Sequence, residues 1–390
     1  MTLKLLEGFA GIGAVAFALE ELGIDYSSDI IEWNIYSTIA YAAVHHNDEY
    51  LKNKRKNETL TSKELNQYLT DNYSKEDGTP LFSATGKEPL CKYRLTHNVA
   101  LNLVAAVQTV NNSVDISTVS IKDKEQYDLF WHSSPCQNFS LAGNNKGGDE
   151  GSGTSSSLLY ESIRLIKENT PKIVIWENVK GALAKKHIHN VEKYKDELSK
   201  LGYKHSTEVI SGDDVGWVQP RPRIFIYSYL EEENEINLID ILKHQYNKVK
   251  LEKVIDFSKD SIKIPFETSS VVVRNSKYAR ESFLKKGYDL ETDNYVYDSG
   301  LSPSRPSRAY VGKTTTLLTS KRIAKYSAET KTETLLTARE YWSLMSFPAD
   351  KYDLVNGEIN DVHLYKICGN SVLVLVIKEI LKLNKMLDKF

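Results

Sequence analysis

A short apolar run, Leu3 to Leu6, opens the chain, and a glycine-bearing turn from Gly8 to Gly13 follows it. Apolar residues then recur at Val15, Leu19 and Leu22, the spacing of one helix face, until Gly23 supplies a stop. Strand-like runs return at Asp29 to Ile31, Tyr127 to Trp131, Ile173 to Trp176 and Ile224 to Tyr227. Helical stretches fall between the later ones, at Leu158 to Glu168 and Glu192 to Leu201. Strands alternating with helices predict an α/β fold built on a parallel sheet covered on both faces.

From about Asn237 to Thr334 this rhythm fails. Ser, Thr, Lys, Tyr and Pro take over, with short β-branched runs such as Ser270 to Arg274 and Thr314 to Thr319. Regularity returns at Leu336. The closing helix, Val372 to about Leu387, has too many aliphatic residues for a one-sided surface helix, so it is expected to pack back onto the sheet. The predicted organisation is a sheet domain over residues 1–237, interrupted at about 47–112 by a polar segment with helical turns. A smaller, irregular β-rich domain follows over 238–335, and 336–390 returns to the first domain.

Composition narrows the class. A chain of 390 residues can bury a core in two domains, and 41% hydrophobic with 26% charged residues is ordinary for a soluble protein. The longest aliphatic run, Val372 to Ile377, cannot span a bilayer, and MTLKLLEGFAG carries no secretory pattern, so a cytoplasmic protein with no membrane role is expected. Cys91, Cys136 and Cys368 form no CxxC pair, which argues against a disulfide framework and a zinc site; no metal is expected. The net charge of −2 gives no global sign of nucleic-acid binding. Locally, Arg305, Arg308, Lys313, Lys321, Arg322 and Lys325 face a single acid, Glu329, and read either as a phosphate-binding stretch or as a solvated surface.

The candidate chemistry sits after the strands. Phe9-Ala10-Gly11-Ile12-Gly13 lets backbone approach a ligand, with a helix N-terminus behind it. Glu32-Trp33 follows the next strand, where a carboxylate can accept ribose hydroxyls and an indole can stack on adenine. A tryptophan there also serves as core, and a glutamate as solvated surface. Asp115-Ile116 is a weaker candidate for the adenine amino group. Ser134-Pro135-Cys136-Gln137-Asn138-Phe139-Ser140 follows another strand and precedes a glycine-rich polar loop suited to a lid, which makes Cys136 a candidate nucleophile, with a buried inert thiol as the other reading. Trp176-Glu177-Asn178-Val179 ends a further strand and puts a carboxyl at the same sheet edge for acid catalysis. Gln219-Pro220-Arg221-Pro222-Arg223 leads into a strand with two arginines on one face, able to fork onto a carbonyl or to pair with a local acid.

In this order and spacing the motifs resemble the C5-cytosine DNA methyltransferases over nearly the whole chain. Phe9 to Gly13 is similar to the family's cofactor turn, Glu32-Trp33 to its ribose and adenine contacts, and Pro135-Cys136-Gln137 to its nucleophile motif. Glu177-Asn178-Val179 resembles the catalytic acid motif and Gln219-x-Arg221-x-Arg223 the base-binding motif. Thr337-Ala338-Arg339-Glu340 through Phe347-Pro348 resembles the support helix, and Gly369-Asn370-Ser371-Val372 the closing cofactor motif. Glu7 departs from a usual aspartate, Ala14 from a common third glycine, and Ser155 or a neighbour from an arginine that often precedes the position of Leu158.

The resemblance implies a Rossmann-like class I S-adenosylmethionine-dependent methyltransferase sheet with an inserted target-recognition domain. It also implies methylation of C5 in a flipped cytosine of a short duplex DNA sequence, with S-adenosylhomocysteine as by-product. Catalytic roles fall to Cys136, Glu177, Arg221 and Arg223. Cofactor contacts fall to Phe9, Gly11, Gly13, Glu32, Trp33, Asp115, Ile116, Pro135, Leu158, Asn370 and Ser371. DNA contacts fall to Gln137, Ser140, Asn178, Gln219, Arg305, Arg308, Lys321 and Arg322. A monomer paired functionally with a restriction endonuclease is implied. Gly151-Ser152-Gly153-Thr154 with Leu158-Leu159 is nearest a CpG-methylating bacterial branch. A tRNA cytosine methyltransferase and a catalytically silent DNA-binding relative are the alternatives.

Overall fold

Seven strands build the main sheet of the computed structural model: β1 (Leu3–Gly8), β2 (Tyr26–Ile31), β3 (Asn111–Asn112), β4 (Leu129–His132), β5 (Ile173–Val179), β6 (Lys204–Ile210) and β7 (Arg223–Tyr229). The structure describes residues 1–135, 155–230, 236–258, 270–302, 304–320, 322–383, 387 and 390. Strand order is β3-β2-β1-β4-β5-β7-β6, parallel except for β7, which runs antiparallel to both neighbours. The order reverses between β1 and β4, the place where open α/β sheets bind ligands beyond the strands' carboxyl ends.

Side-chain alternation shows why the sheet is buried on both faces. Leu3, Leu5, Leu129, Trp131, Ile173, Ile175, Phe225 and Tyr227 join one core, while Leu6, Phe130, Val174, Trp176, Ile224 and Ile226 join the other. The first core takes helices α1 (Ala14–Leu22), α2 (Ile35–His45), α3 (Asn47–Asn57), α4 (Ser62–Asn72) and α5 (His97–Thr109); α6 (Leu159–Asn169) and α7 (Ile188–Ser199) cover the second. The segment over 47–112 therefore holds three helices, and α5 is not polar: it is buried from Ala100 to Val107 and packs on α2, α3 and α4.

After β7 come α8 (Ile239–Lys243) and α9 (Ser270–Lys285), then a three-stranded antiparallel sheet of β8 (Tyr295–Asp298), β9 (Ile323–Ser327) and β10 (Thr332–Leu335). Phe283, Tyr295, Tyr297 and Tyr326 give it a separate small core. The β-branched run from Ser270 to Arg274 is the first turn of α9 and not an extended segment, because Asn275, Ala279 and Phe283 bury one helical face behind it. The chain closes with α10 (Ala338–Leu344), α11 (Tyr352–Val355), α12 (Asp361–Asn370) and α13 (Val374–Lys382). As its aliphatic content requires, α13 packs back against α1. Among the described residues no helix is long and apolar enough to cross a membrane.

Candidate active site

Register brings the motifs to one edge of the sheet. Gly8 of β1 pairs with Ile31 of β2 and His132 of β4, and His132 pairs with Trp176 of β5. The glycine turn, Glu32 and Ser133 therefore follow their strands at the level of Glu177, which lies two residues before the end of β5. Because β7 runs the other way, its first residue, Arg223, stands opposite Val179 at that edge.

The turn uses left-handed backbone at Phe9 (φ 59°), Gly11 (φ 59°) and Gly13 (φ 81°). Among the described residues a Cβ at Gly11 would meet nothing within 4 Å, so this backbone borders space that they leave open, whereas one at Gly13 would strike the His45 ring. Glu32 is buried, and its carboxylate accepts from the Gly11 N–H at 2.8 Å and the Asn34 N–H at 2.7 Å. Burial raises its carboxyl above the usual range while these backbone donors oppose the rise. Asn112 fixes the Glu32 backbone on both sides, accepting from its N–H at 3.0 Å and donating to its carbonyl at 2.8 Å. In the sequence nothing marks Asn112 as a site residue; its role comes from its place at the end of β3.

Trp33 is half-buried against the first core, and its carbonyl accepts from Ser83 N–H at 2.7 Å. Asp115 receives the Ser117 N–H at 3.0 Å and pairs with Lys75 at 3.2 Å; burial would raise its carboxyl, but these partners hold it below the ordinary value. The Ile116 side chain lies in the second core, with Phe9 and Leu158 half-buried against it. Asn370 is exposed and Ser371 half-buried at the end of α12.

Glu177 is almost wholly buried, and the Arg223 Nε sits 3.1 Å from its Oε1. Burial raises the Glu177 carboxyl, and it outweighs the opposing pull of Arg223, Arg221 and the Ser133 hydroxyl. A carboxyl held this way keeps its proton to higher pH than an ordinary glutamate. Asn178 and Trp176 position the neighbouring loop: Asn178 Nδ2 donates to the Ser134 carbonyl at 3.0 Å and Trp176 Nε1 to the Ser134 hydroxyl at 3.1 Å. That loop leads through half-buried Pro135 into Cys136, which with Gln137, Ser140 and the glycine-rich segment through Thr154 lies outside the described residues.

Other expected contacts are engaged within the protein. The buried Arg221 guanidinium donates to the carbonyls of Leu317 at 3.0 Å and of Gly369 and Ser371 at 2.7 Å, so it ties the end of α12 to the chain at Leu317. Gln219 is fully buried; its amide donates to the Leu344 carbonyl at 2.9 Å and accepts from Leu317 N–H at 3.0 Å. Arg322 pairs with Asp298 at 2.8 Å, and buried Lys325 with Glu340 at 2.8 Å. Arg305, Arg308 and Lys313 are exposed, while Lys321 lies outside the described residues.

The sequence profile of the family described as C-5 cytosine-specific DNA methylase matches residues 100–385. The chain belongs to this family. It is 28% identical over 386 residues to the type II methyltransferase M2.ScrFI of Lactococcus lactis subsp. cremoris, covering 97% of this chain and 98% of the relative. It is also 30% identical over 304 residues to the orphan methyltransferase M.SssI of Spiroplasma monobiae, covering 76% and 77%. Among solved structures, a putative DNA modification methyltransferase encoded within an Escherichia coli prophage superposes with a TM-score of 0.56 at 14% identity, over 98% of both chains, a likeness of fold. The chain is thus a DNA (cytosine-5-)-methyltransferase.

Within this C-5 cytosine methylase, Glu7 is the residue before Gly8, at the end of β1 that leads into the glycine turn. It is buried, accepts from Tyr41 Oη at 3.2 Å, and burial raises its carboxyl to about 8. The folded chain therefore keeps a proton that the unfolded chain releases at an ordinary carboxylate pKa near 4.5. Stability from this group is full below the unfolded value and is lost as pH rises toward about 8. Glu7→Gln should flatten the fall of melting temperature across that window; melts of both proteins from acid to alkaline pH check it, and parallel curves would exclude Glu7 as the cause.

Proposed function

We propose that the chain transfers methyl from S-adenosylmethionine to C5 of a flipped cytosine in a short duplex DNA sequence, with Cys136 as covalent nucleophile. The observation that carries this reading is the buried Glu177–Arg223 pair beside the Ser134–Pro135 segment that leads into Cys136.

The residues at the sheet edge fit the cofactor: the described residues leave space open beside the Gly11 backbone, and a buried carboxylate, Glu32, is already held against it. When bound, S-adenosylmethionine supplies an electrophilic sulfonium methyl group. Phe9, Gly11 and Gly13 present backbone to it, Glu32 accepts the ribose hydroxyls and Trp33 stacks on adenine; Asp115, Leu158, Asn370 and Ser371 border the same site. Glu32→Ala should weaken S-adenosylhomocysteine binding by about 1.5–3 kcal/mol, the worth of hydrogen bonds to a charged group. Calorimetry that finds unchanged affinity would remove the assignment.

Cytosine C5 is too weak a nucleophile alone, so the Cys136 thiolate adds to C6 and turns the ring electron-rich. Protonated Glu177 donates to N3, and Arg223 holds O2, so charge that builds on the ring meets preorganised donors. Once C5 has taken the methyl group, with S-adenosylhomocysteine as the leaving group, loss of the C5 proton to water and departure of the Cys136 thiolate from C6 restore aromaticity. Attack on C6 comes from above the ring, which requires the base to leave the stack.

Of the six cations that cluster between Arg305 and Lys325, Arg305, Arg308 and Lys313 are exposed, and they are proposed as phosphate contacts. Each replaced by Ala should lower the salt slope of DNA binding by about one unit. Lys325→Ala should instead destabilise the fold by about 3–5 kcal/mol, because it leaves Glu340 buried and unpaired, and should not change the slope. Salt titrations and denaturant melts of the four variants separate the two behaviours; a lowered slope for Lys325→Ala alone would reverse the assignment.

Radiolabelled S-adenosylmethionine offered with duplex DNA and with tRNA, followed by bisulfite sequencing, tests the whole reading. Label at C5 of cytosine in one short DNA sequence is expected; label on tRNA alone would overturn it.

A further inference from the structure

One buried histidine touches the cofactor turn from behind. His45, the last residue of α2, has a side chain shielded completely from solvent. Its Nε2 lies 2.9 Å from the Ile12 carbonyl oxygen, and its Nδ1 lies 2.6 Å from Glu20 Oε1. Phe17 and Tyr41 hold the ring in place, with centroids 4.4 Å and 4.7 Å away. The turn is moulded on this ring, since a Cβ at Gly13 would meet Nε2 at 2.5 Å.

A peptide carbonyl accepts only, and neutral imidazole carries one N–H. With Glu20 ionised, both bonds form together only when both ring nitrogens are protonated. Glu20 is built to be the counter-ion: it also receives Tyr26 Oη at 3.0 Å, and Lys351 lies 3.3 Å from its other oxygen. Burial opposes the Glu20 charge, but His45 and Lys351 outweigh it and hold the carboxyl below its ordinary value. The remaining titratable groups nearby are Tyr41, whose hydroxyl donates to Glu7, and His46, next to His45 in the chain.

We propose that His45 is a positioning residue for the cofactor turn: its imidazolium, anchored by Glu20, fixes the Ile12 carbonyl and with it the Gly11–Gly13 backbone. The proposal rests on the reading of that turn as the cofactor site. His45 reaches the ligand through the turn and does not touch it, so removal of the ring loosens the backbone that the ligand needs preorganised.

Calorimetry with S-adenosylhomocysteine and the full-length protein supplies one readout. His45→Leu is expected to weaken binding about tenfold, the scale of one lost charge-assisted hydrogen bond, and His45→Gln, which keeps an N–H donor, to recover most of it. Nitrogen-edited NMR of the unsubstituted protein supplies the other, with both His45 ring nitrogens expected to carry a proton, as the bonds to Ile12 and Glu20 together require. A singly protonated ring, or a folded His45→Leu protein that binds like the parent, overturns the proposal. Should the leucine variant fail to fold, His45→Gln and the ring NMR decide it. Glu32→Ala separates the two levels: parental affinity in that variant removes the cofactor reading itself, whereas weakened binding there with no effect at His45 removes only the role of His45.

Discussion

Cys136→Ala should abolish methyl transfer while leaving S-adenosylhomocysteine affinity nearly unchanged. Without addition at C6 the ring has no route to a nucleophilic C5, and none of the proposed cofactor contacts is altered by the substitution. The segment before Cys136 is anchored for this task. Ser133 N–H donates to the Gly8 carbonyl at 3.3 Å, and Asn178 and Trp176 hold Ser134, so the chain leaves β4 beside Glu177. A duplex carrying 5-fluorocytosine at the target should trap a covalent complex with the parent protein and none with the variant, since fluorine cannot leave as a proton does. A variant that keeps more than a few per cent of the activity, or a parent protein that forms no gel-stable adduct with cofactor and a correct site, would remove Cys136 from the nucleophile role.

The elements legible in the sequence are those whose pattern changes period at a clear punctuation. At Gly8–Gly13 an apolar strand gives way to helical spacing, and the structure puts β1 and α1 on either side of it. Strand β6 leaves no clear signal because it is an edge strand, paired among the described residues only to β7, and Lys204–Ile210 is mostly half-exposed and polar. Helices α2 and α5 were obscured for the opposite reason. Ile35 through Val44 is buried on nearly every side, and Ala100–Val107 likewise, so no apolar stripe stands out against a polar face. The Ser270 run misled because its β-branched residues precede the periodic face that makes α9 a helix.

At the site, residue types at strand ends were legible and side-chain direction was not. Glu32, Glu177 and Arg223 follow from motif and strand position, and the structure brings the last two together. Arg221 stands two residues from Arg223, on the same side of an extended segment by spacing, yet its partners are carbonyls 96 to 150 positions away in sequence. Lys325 and Arg322 read as free cations for the same reason, since Glu340 and Asp298 meet them only through the fold. Local patterns specify what a residue can do; long-range packing decides whether it is available to do it.

Glu177→Gln should lower the rate constant for methyl transfer by about 10²–10⁴, the usual contribution of a positioned acid, with little change in S-adenosylhomocysteine affinity. The argument rests on environment. Burial raises the Glu177 carboxyl, whereas Arg223 at 3.1 Å favours the ionised form, and burial wins. The group thus keeps its proton above the ordinary carboxylate range and can donate it where the ring accumulates charge. The parent rate should fall as pH climbs through this raised value, because the donating form is the protonated one. Glutamine cannot ionise, so that descending limb should vanish from the variant's profile while any rise due to formation of the Cys136 thiolate remains. Rate constants measured from pH 5 to 9 for both proteins decide the matter: a variant that retains the descending limb would assign it to another group, and one that retains full activity would leave Glu177 only the task of holding Arg223.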